Sequence, residues 1–138
     1  MTAELPAGIA LLDQLAKEHD EVRSLLEGIE DSAARSDLVG AVEQVLAGSG
    51  VIGEALDEHI VAEDTTLFPA LVTEMGQELV DGFIQEHVRI RKLRDLVVSS
   101  ARKNTLTAAD TEEFCQLLRE HMDKEDMMLF PSARELLS

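Results

Sequence analysis

The chain is 138 residues long, a length that supports one domain over 1–138 with enough interior to fold without disulfide staples. Its 12 Lys and Arg against 28 Asp and Glu give a formal net charge of -16, which argues against nucleic acid or an anionic membrane as partner and leaves cations open. The single cysteine, Cys115, excludes an intrachain disulfide and a thiolate cluster built by this chain alone; with no basic leader and no apolar run near the roughly 18 residues of a membrane span, the expectation is a cytoplasmic protein.

Three Pro, four Phe and no Tyr or Trp, set among abundant Leu, Ala and Glu, favour helix over strand. The first helix is read from Ile9 to Ile29, where Leu12, Leu15, Val22, Leu26 and Ile29 follow a three-four repeat and His19 falls on the same inward stripe. A second begins after Asp37, a candidate cap, and runs through Val42, Val45, Ile52, Leu56, His59, Glu63 and Leu67 to a stop at Pro69. Gly48, Ser49 and Gly50 interrupt it, as a kink or as a break into two; one long bent helix is the preferred reading. After Gly76, a third helix places Phe83, His87, Ile90 and Val97 on one face and ends near Lys103–Thr105. The fourth opens with Thr107 and Asp110 as a capping pair, runs through Phe114, Leu118, His121, Glu125 and Met128, and stops before Pro131, leaving one loose turn at the end. Four amphipathic helices with short turns predict an all-α, up-down-up-down four-helix bundle.

An internal repeat turns the fold into chemistry. HIVAEDTTLFP, His59 to Pro69, matches HMDKEDMMLFP, His121 to Pro131, at six of eleven positions, as H-x-x-x-E-D-x-x-L-F-P. The other two helices match each other: EHDEVRSL from Glu18 and EHVRIRKL from Glu86 share Glu-His, then a branched apolar residue, Arg and Leu. The bundle is therefore a repeated hairpin with pseudo-twofold symmetry, which brings four histidines together. Each His-x-x-x-Glu sets both side chains on one helical face a turn apart. His19, His59, Glu63, His87, His121 and Glu125 thus form a candidate set of six metal ligands. Six ligands overfill one tetrahedral zinc. Mixed imidazole and carboxylate donors suit a pair of first-row ions with bridging carboxylates, iron first and manganese next, while zinc remains chemically open.

These residues resemble the hemerythrin-like, HHE cation-binding family from His19 to Pro131. The resemblance implies a four-helix bundle around a non-haem di-iron centre, two iron ions with a bridging oxo or hydroxo group. The family's first-helix histidine matches His19, its two H-x-x-x-E motifs match His59 with Glu63 and His121 with Glu125, and its third-helix histidine matches His87. Oxygen carriers of the family have a second histidine four residues further on, where this chain has Arg91. That departure removes a nitrogen ligand and argues against simple reversible oxygen carriage. The carriers also use an Asp five residues after the last histidine, here Asp126; the three-four periodicity selects Glu125 instead, because a residue five positions on is rotated about 140° along the face.

The expected partner is a small diatomic or peroxide ligand, and the expected function is binding or reaction with dioxygen, peroxide or nitric oxide, extending to peroxide decomposition. The alternative is non-enzymatic iron or oxygen sensing or iron buffering; a structural bundle with a degenerate site is the third reading. A monomer or weak homodimer is expected. Cys115 reads as a small buried hydrophobe, Met122, Met127 and Met128 as core or surface filler, and Phe68 and Phe130 as closing the ends of the core and limiting access. Arg23 and Arg91 are expected to pair with Glu18, Glu86 or a neighbouring helix, the sharper alternative being to orient an anion at the metals. The glutamates before each histidine, Glu18, Glu58, Glu86 and Glu120, are read as solvent-facing or interhelical, the alternative being support of the metal ligands from behind.

Overall fold

The computed structural model describes residues 8–137, and every regular element among them is helical. α1 spans Ile9–Ala34 and buries Leu12, Leu15, His19, Val22, Leu26 and Ile29, the stripe that the three-four spacing dictates. Ser36, at φ 59°, takes the left-handed conformation after it, and the Asp37 N–H reaches back to the Ser32 carbonyl at 2.8 Å to close the last turn. Asp37 then caps α2, Leu38–Ala47, its carboxylate accepting from the Gly40 N–H at 2.9 Å.

The second rod is helical from α2 to Met75 except for one turn at Gly48. It continues as a π turn, Val51–Ala55, then α3, Leu56–Ala62, a second π turn, Glu63–Leu67, and α4, Phe68–Met75. One rod interrupted at Gly48 therefore connects Asp37 to Gly76; the interruption agrees with the sequence reading, while the rod runs beyond the stop expected at Pro69. Gly48 is buried where α1 crosses close by: a Cβ there would lie 2.5 Å from a Leu25 methyl carbon.

Pro69 does not stop this helix, and Pro131 does not stop the last one. In each half the five residues before Phe-Pro, Glu63–Leu67 and Glu125–Leu129, form a π turn. The i→i+5 register of that turn breaks the α ladder. Proline cannot donate to the ladder and crowds the carbonyl four residues back inside an α-helix. In the first turn of a new α segment its missing N–H has no helical partner to lose. Pro69 occupies that position in α4. The end of the chain is accordingly not one loose turn but a helix, Phe130–Leu137.

Gly76, at φ 91°, reverses the chain in a single residue into α5, Gln77–Arg102. Asn104, also left-handed at φ 59°, ends α5 as Ser36 ends α1, with the Thr105 N–H on the Ser100 carbonyl at 2.8 Å. The Thr107 hydroxyl caps α6, Ala108–Lys124, by accepting from the Asp110 N–H at 3.1 Å. After the π turn Glu125–Leu129, the Phe130–Leu137 helix, α7, completes the fourth rod.

α1 packs on α2 and α6, and α5 packs on the same two, so each rod lies beside the next in sequence and the bundle is closed. The apolar core is divided. One block gathers Val22, Leu26, Ile29, Ile52, Ile90, Val97, Phe114 and Leu118; the other gathers Leu12, Leu15, Leu67, Phe68, Phe83, Leu129 and Phe130. The buried histidines and glutamates lie between them. No helix among the described residues is long and apolar enough to cross a membrane.

Cys115 belongs to the first block at 1 % exposure. Burial first, and the nearby Glu30 carboxylate second, push its thiol up to about 12. Since the thiolate is the nucleophile, iodoacetamide at pH 8 is expected to label the native chain at least about a hundredfold more slowly than the denatured chain. Equal rates, measured by mass spectrometry of quenched samples, would contradict this packing.

Candidate metal centre

Each rod contributes one histidine, and all four are buried: His19 from α1, His59 from α3, His87 from α5 and His121 from α6. Glu63 and Glu125 open their π turns one helical turn after His59 and His121, and both are 0 % exposed. All six sequence-predicted site residues come together. They form two groups, His19, His59, Glu63, Glu125 and Glu63, His87, His121, Glu125, whose donor atoms in each group lie within 4.8 Å of one another. Both glutamates belong to both groups.

The atoms face accordingly. The His19 and His59 Nε2 atoms stand 3.2 Å apart, and those of His87 and His121 3.1 Å apart. Glu125 turns Oε1 to His19 Nε2 at 3.0 Å and Oε2 to His121 Nε2 at 3.3 Å. Glu63 turns Oε1 to His87 Nε2 at 3.0 Å and Oε2 to His59 Nε2 at 3.5 Å. Each carboxylate thus presents one oxygen to each half. For a first-row ion with bonds near 2.1 Å, neighbouring donor atoms at right angles stand about 3 Å apart, which is the spacing found here.

The other ring nitrogens are also satisfied. His19 Nδ1 meets Asp126 at 2.9 Å, His59 Nδ1 meets Glu18 at 2.8 Å, His87 Nδ1 meets Asp64 at 2.8 Å and His121 Nδ1 meets Glu86 at 2.7 Å. A carboxylate on Nδ1 fixes the ring and leaves Nε2 for a ligand bond, the arrangement that orients metal-binding histidines. Sequence reasoning offers this role to Glu18 and Glu86 only as the alternative to an interhelical or solvent-facing one, and it misses Asp64 and Asp126, the aspartates of the two H-x-x-x-E-D motifs, which enter as rivals of Glu63 and Glu125. The signal was present in the repeat: Asp follows Glu in both H-x-x-x-E-D motifs, and Glu precedes His in both of the other helices. Glu58 and Glu120, which also precede histidines, are exposed as read.

Electrostatics explain why positive charge collects here. Burial alone would strip the proton from an imidazole. Asp126 and Glu125 outweigh it and raise His19; Glu18 and Glu63 raise His59 to about 10; Asp64 and Glu63 raise His87. Burial equally opposes ionisation of the glutamates. Even so, His59 and His87 hold Glu63 well below the usual carboxylate range, whereas burial and the charge on Glu63 push Glu125 well above it. Outside this pair, His121 and, against partial burial, Lys124 draw Glu86 down to about 2.

Aromatic rings shield the centre. Phe130 stacks on His19 with centroids 5.4 Å apart, and Phe68 stacks on His87 at 5.7 Å, the two Phe-Pro motifs acting alike in the two halves. Phe83 meets His121 edge-on at 5.6 Å. The arginines do not behave alike. Arg23 pairs with Asp126 at 2.6 Å and Asp123 at 2.9 Å, bracing the carboxylate that holds His19. Arg91 turns to Asp57 at 3.3 Å, away from Asp64. Both pair with a neighbouring helix, neither with Glu18 or Glu86, and Arg91 contributes nothing to either metal-ligand group. Met122 is core, while Met127 and Met128 are exposed at 78 % and 53 %.

The fit to a metal pair rests on one feature. The four oxygens of Glu63 and Glu125 are buried, and although imidazole Nε2 atoms stand 3.0–3.5 Å from them, none receives a well-aligned hydrogen bond. Orphaned buried oxygens of this kind are costly in a native interior, and cations between the imidazoles and carboxylates would satisfy all four at once.

Comparison with protein families gives one match: the model described as Hemerythrin HHE cation binding domain covers residues 49–133. That span holds His59, Glu63, His87, His121 and Glu125 and begins after His19, whose place in the centre rests on its contacts with His59 and Glu125. Neither the curated proteins nor the solved structures give a match.

Without metal, the paired glutamates should weaken the fold. Metal loading is therefore expected to raise the urea midpoint of the chain, and Glu125→Leu, which takes a donor from both groups, to lower metal uptake and shrink that increment. Equal midpoints with and without bound metal would show that the carboxylates are held by something other than a cation.

Proposed function

The chain belongs to the hemerythrin HHE cation binding domain family, and on that premise we propose that it is a non-haem di-iron protein that binds or reacts with dioxygen, peroxide or nitric oxide. The observation that supports this most is the pair of glutamates buried without hydrogen bonds, each with one oxygen toward either histidine pair. In this reading His19 and His59 would hold one ion, His87 and His121 would hold the other, and Glu63 and Glu125 would contribute to both. Mixed nitrogen and carboxylate donors favour iron, with manganese next. Iron supplies the electron exchange that reaction with such ligands requires.

The chain's own residues set the conditions of that chemistry. Asp126, Glu18, Asp64 and Glu86 keep the four rings oriented through Nδ1. Phe68 and Phe130 cover His87 and His19 and keep bulk water from them. Val22, Leu56, Ile90 and Leu118 line an apolar cavity of about 70 Å³ that reaches the histidines. Organic ligands of ordinary size need roughly 300 Å³ or more, so the cavity suits a diatomic molecule or peroxide. With Arg91 engaged by Asp57, the His87–His121 half has no third imidazole, and the two halves offer equal protein donors.

Iron or oxygen sensing, or iron buffering, is the second reading. It is favoured by the origin of the donors in all four rods, which couples metal binding to the tightness of the bundle.

Protein made in iron-replete cells is expected to carry about two irons per chain by plasma mass spectrometry, because the donors form two groups. Sustained peroxide consumption by that material would support reaction; two irons without turnover would favour sensing or buffering. One zinc with negligible iron would contradict the dinuclear assignment.

A further inference from the structure

Equal donors do not make equal sites. The repeat gives both halves two imidazoles, two shared glutamates and a carboxylate on every Nδ1, so any difference between them must come from what surrounds the donors. The surroundings are not symmetric.

The cavity at the centre is lined by repeat-related pairs, Val22 with Ile90, Leu56 with Leu118 and Ile60 with Met122. Beyond these it extends on one side only, to Glu21, Val51 and Ala55, and there Glu21 and Ala55 are solvent-exposed. The counterpart of Ala55 in the other half is Leu117, which packs against the apolar core. The π turn Val51–Ala55 has no counterpart either, since α6 is unbroken from Ala108 to Lys124. Arg94, buried at 7 % exposure, holds this turn: its Nη1 donates to the Ile52 carbonyl at 2.9 Å, the Gly53 carbonyl at 3.3 Å and Asp57 at 3.1 Å.

The outer carboxylates differ in the same sense. Glu18 and His59 also line an open groove of about 940 Å³ that carries Glu54, Asp57 and Glu58. The other oxygen of Glu18 meets only the neutral amide of Gln14, at 3.2 Å. In the second half Glu86 is paired with Lys124, whose ammonium lies 5.7 Å from the Phe83 ring, and Phe83 in turn covers His121. Leu15 stands at the position that corresponds to Phe83, so no such aromatic cover lies over His59.

We propose that the two metal positions exchange unequally: the ion at His19 and His59 passes to and from solvent by a mouth at Ala55, and the ion at His87 and His121, whose histidines reach the same cavity but whose half has no such extension to solvent, leaves by opening of the bundle. The inference rests on the dinuclear reading. Arg23 braces Asp126 on the exchanging side, so the order of release is set by access and not by the number of contacts around the outer carboxylates. The acidic groove beside the mouth favours cations on approach.

The test uses the full chain loaded with cobalt(II), counted before chelation, and then exposed to excess EDTA while cobalt absorbance is followed. Two phases of equal amplitude are expected, separated by about tenfold or more in rate. Ala55→Leu, which gives the mouth the side chain present at its counterpart, should slow the fast phase by about tenfold and change the slow phase by less than about twofold. Ala55→Met, unbranched and helix-favouring, is the second variant and should act in the same direction. One phase for both ions, or equal slowing of both phases in either folded variant, would overturn the proposal. Uptake of fewer than two cobalt ions, seen before any release begins, would instead overturn the dinuclear reading on which it rests.

Discussion

Two carboxylates buried side by side with no hydrogen bond, Glu63 and Glu125, are the constraint around which the bundle is arranged. Two negative charges side by side in an interior are too costly to persist without compensation, and in the metal-free chain burial and the charge on Glu63 already push Glu125 toward its neutral form. Here the compensation converges from every rod: four Nε2 atoms face the carboxylate oxygens, and four more carboxylates face the Nδ1 atoms from outside. The result is a layered sphere of alternating charge with a place for cations at its centre. The division of the apolar core into two blocks follows from the same constraint, because neither block can run through a charged layer.

One short motif does most of this twice. In H-x-x-x-E-D-x-x-L-F-P the histidine and glutamate face the centre and the aspartate reaches the ring of the opposite hairpin. The phenylalanine then stacks on that same ring. The π turn that begins at the glutamate lets two adjacent residues, Glu63 and Asp64 or Glu125 and Asp126, both find partners at the centre, the glutamate fully buried and the aspartate partly exposed. It also makes room for the proline. Glutamate and aspartate therefore do not compete for the centre; they occupy successive layers of it.

The four rods, their inward stripes, the caps at Asp37 and Thr107 and the convergence of four inward histidines and two glutamates were legible in the sequence, because amphipathic spacing and an internal repeat are local patterns that survive folding unchanged. The π turns were not. A five-residue widening leaves no mark in hydrophobic periodicity, so Pro69 and Pro131 were read as stops when the register shift before each lets the helix continue. The outer carboxylates were hidden for a related reason: Glu18 and Glu86 lie off the apolar stripe of their own helices, and only the packing of neighbouring rods reveals that they meet His59 and His121. The different fates of Arg23 and Arg91 could not be read from their equivalent positions in the repeat, since they depend on which acid the facing helix supplies.

A metal pair shared by two glutamates is decided most directly by where metal sits. A crystal of iron-loaded protein, measured at the iron absorption edge, should show two anomalous peaks, one beside His19 and His59 and one beside His87 and His121, with Glu63 and Glu125 each within bonding distance of both. A single peak, or peaks that leave either glutamate without an ion, would contradict it.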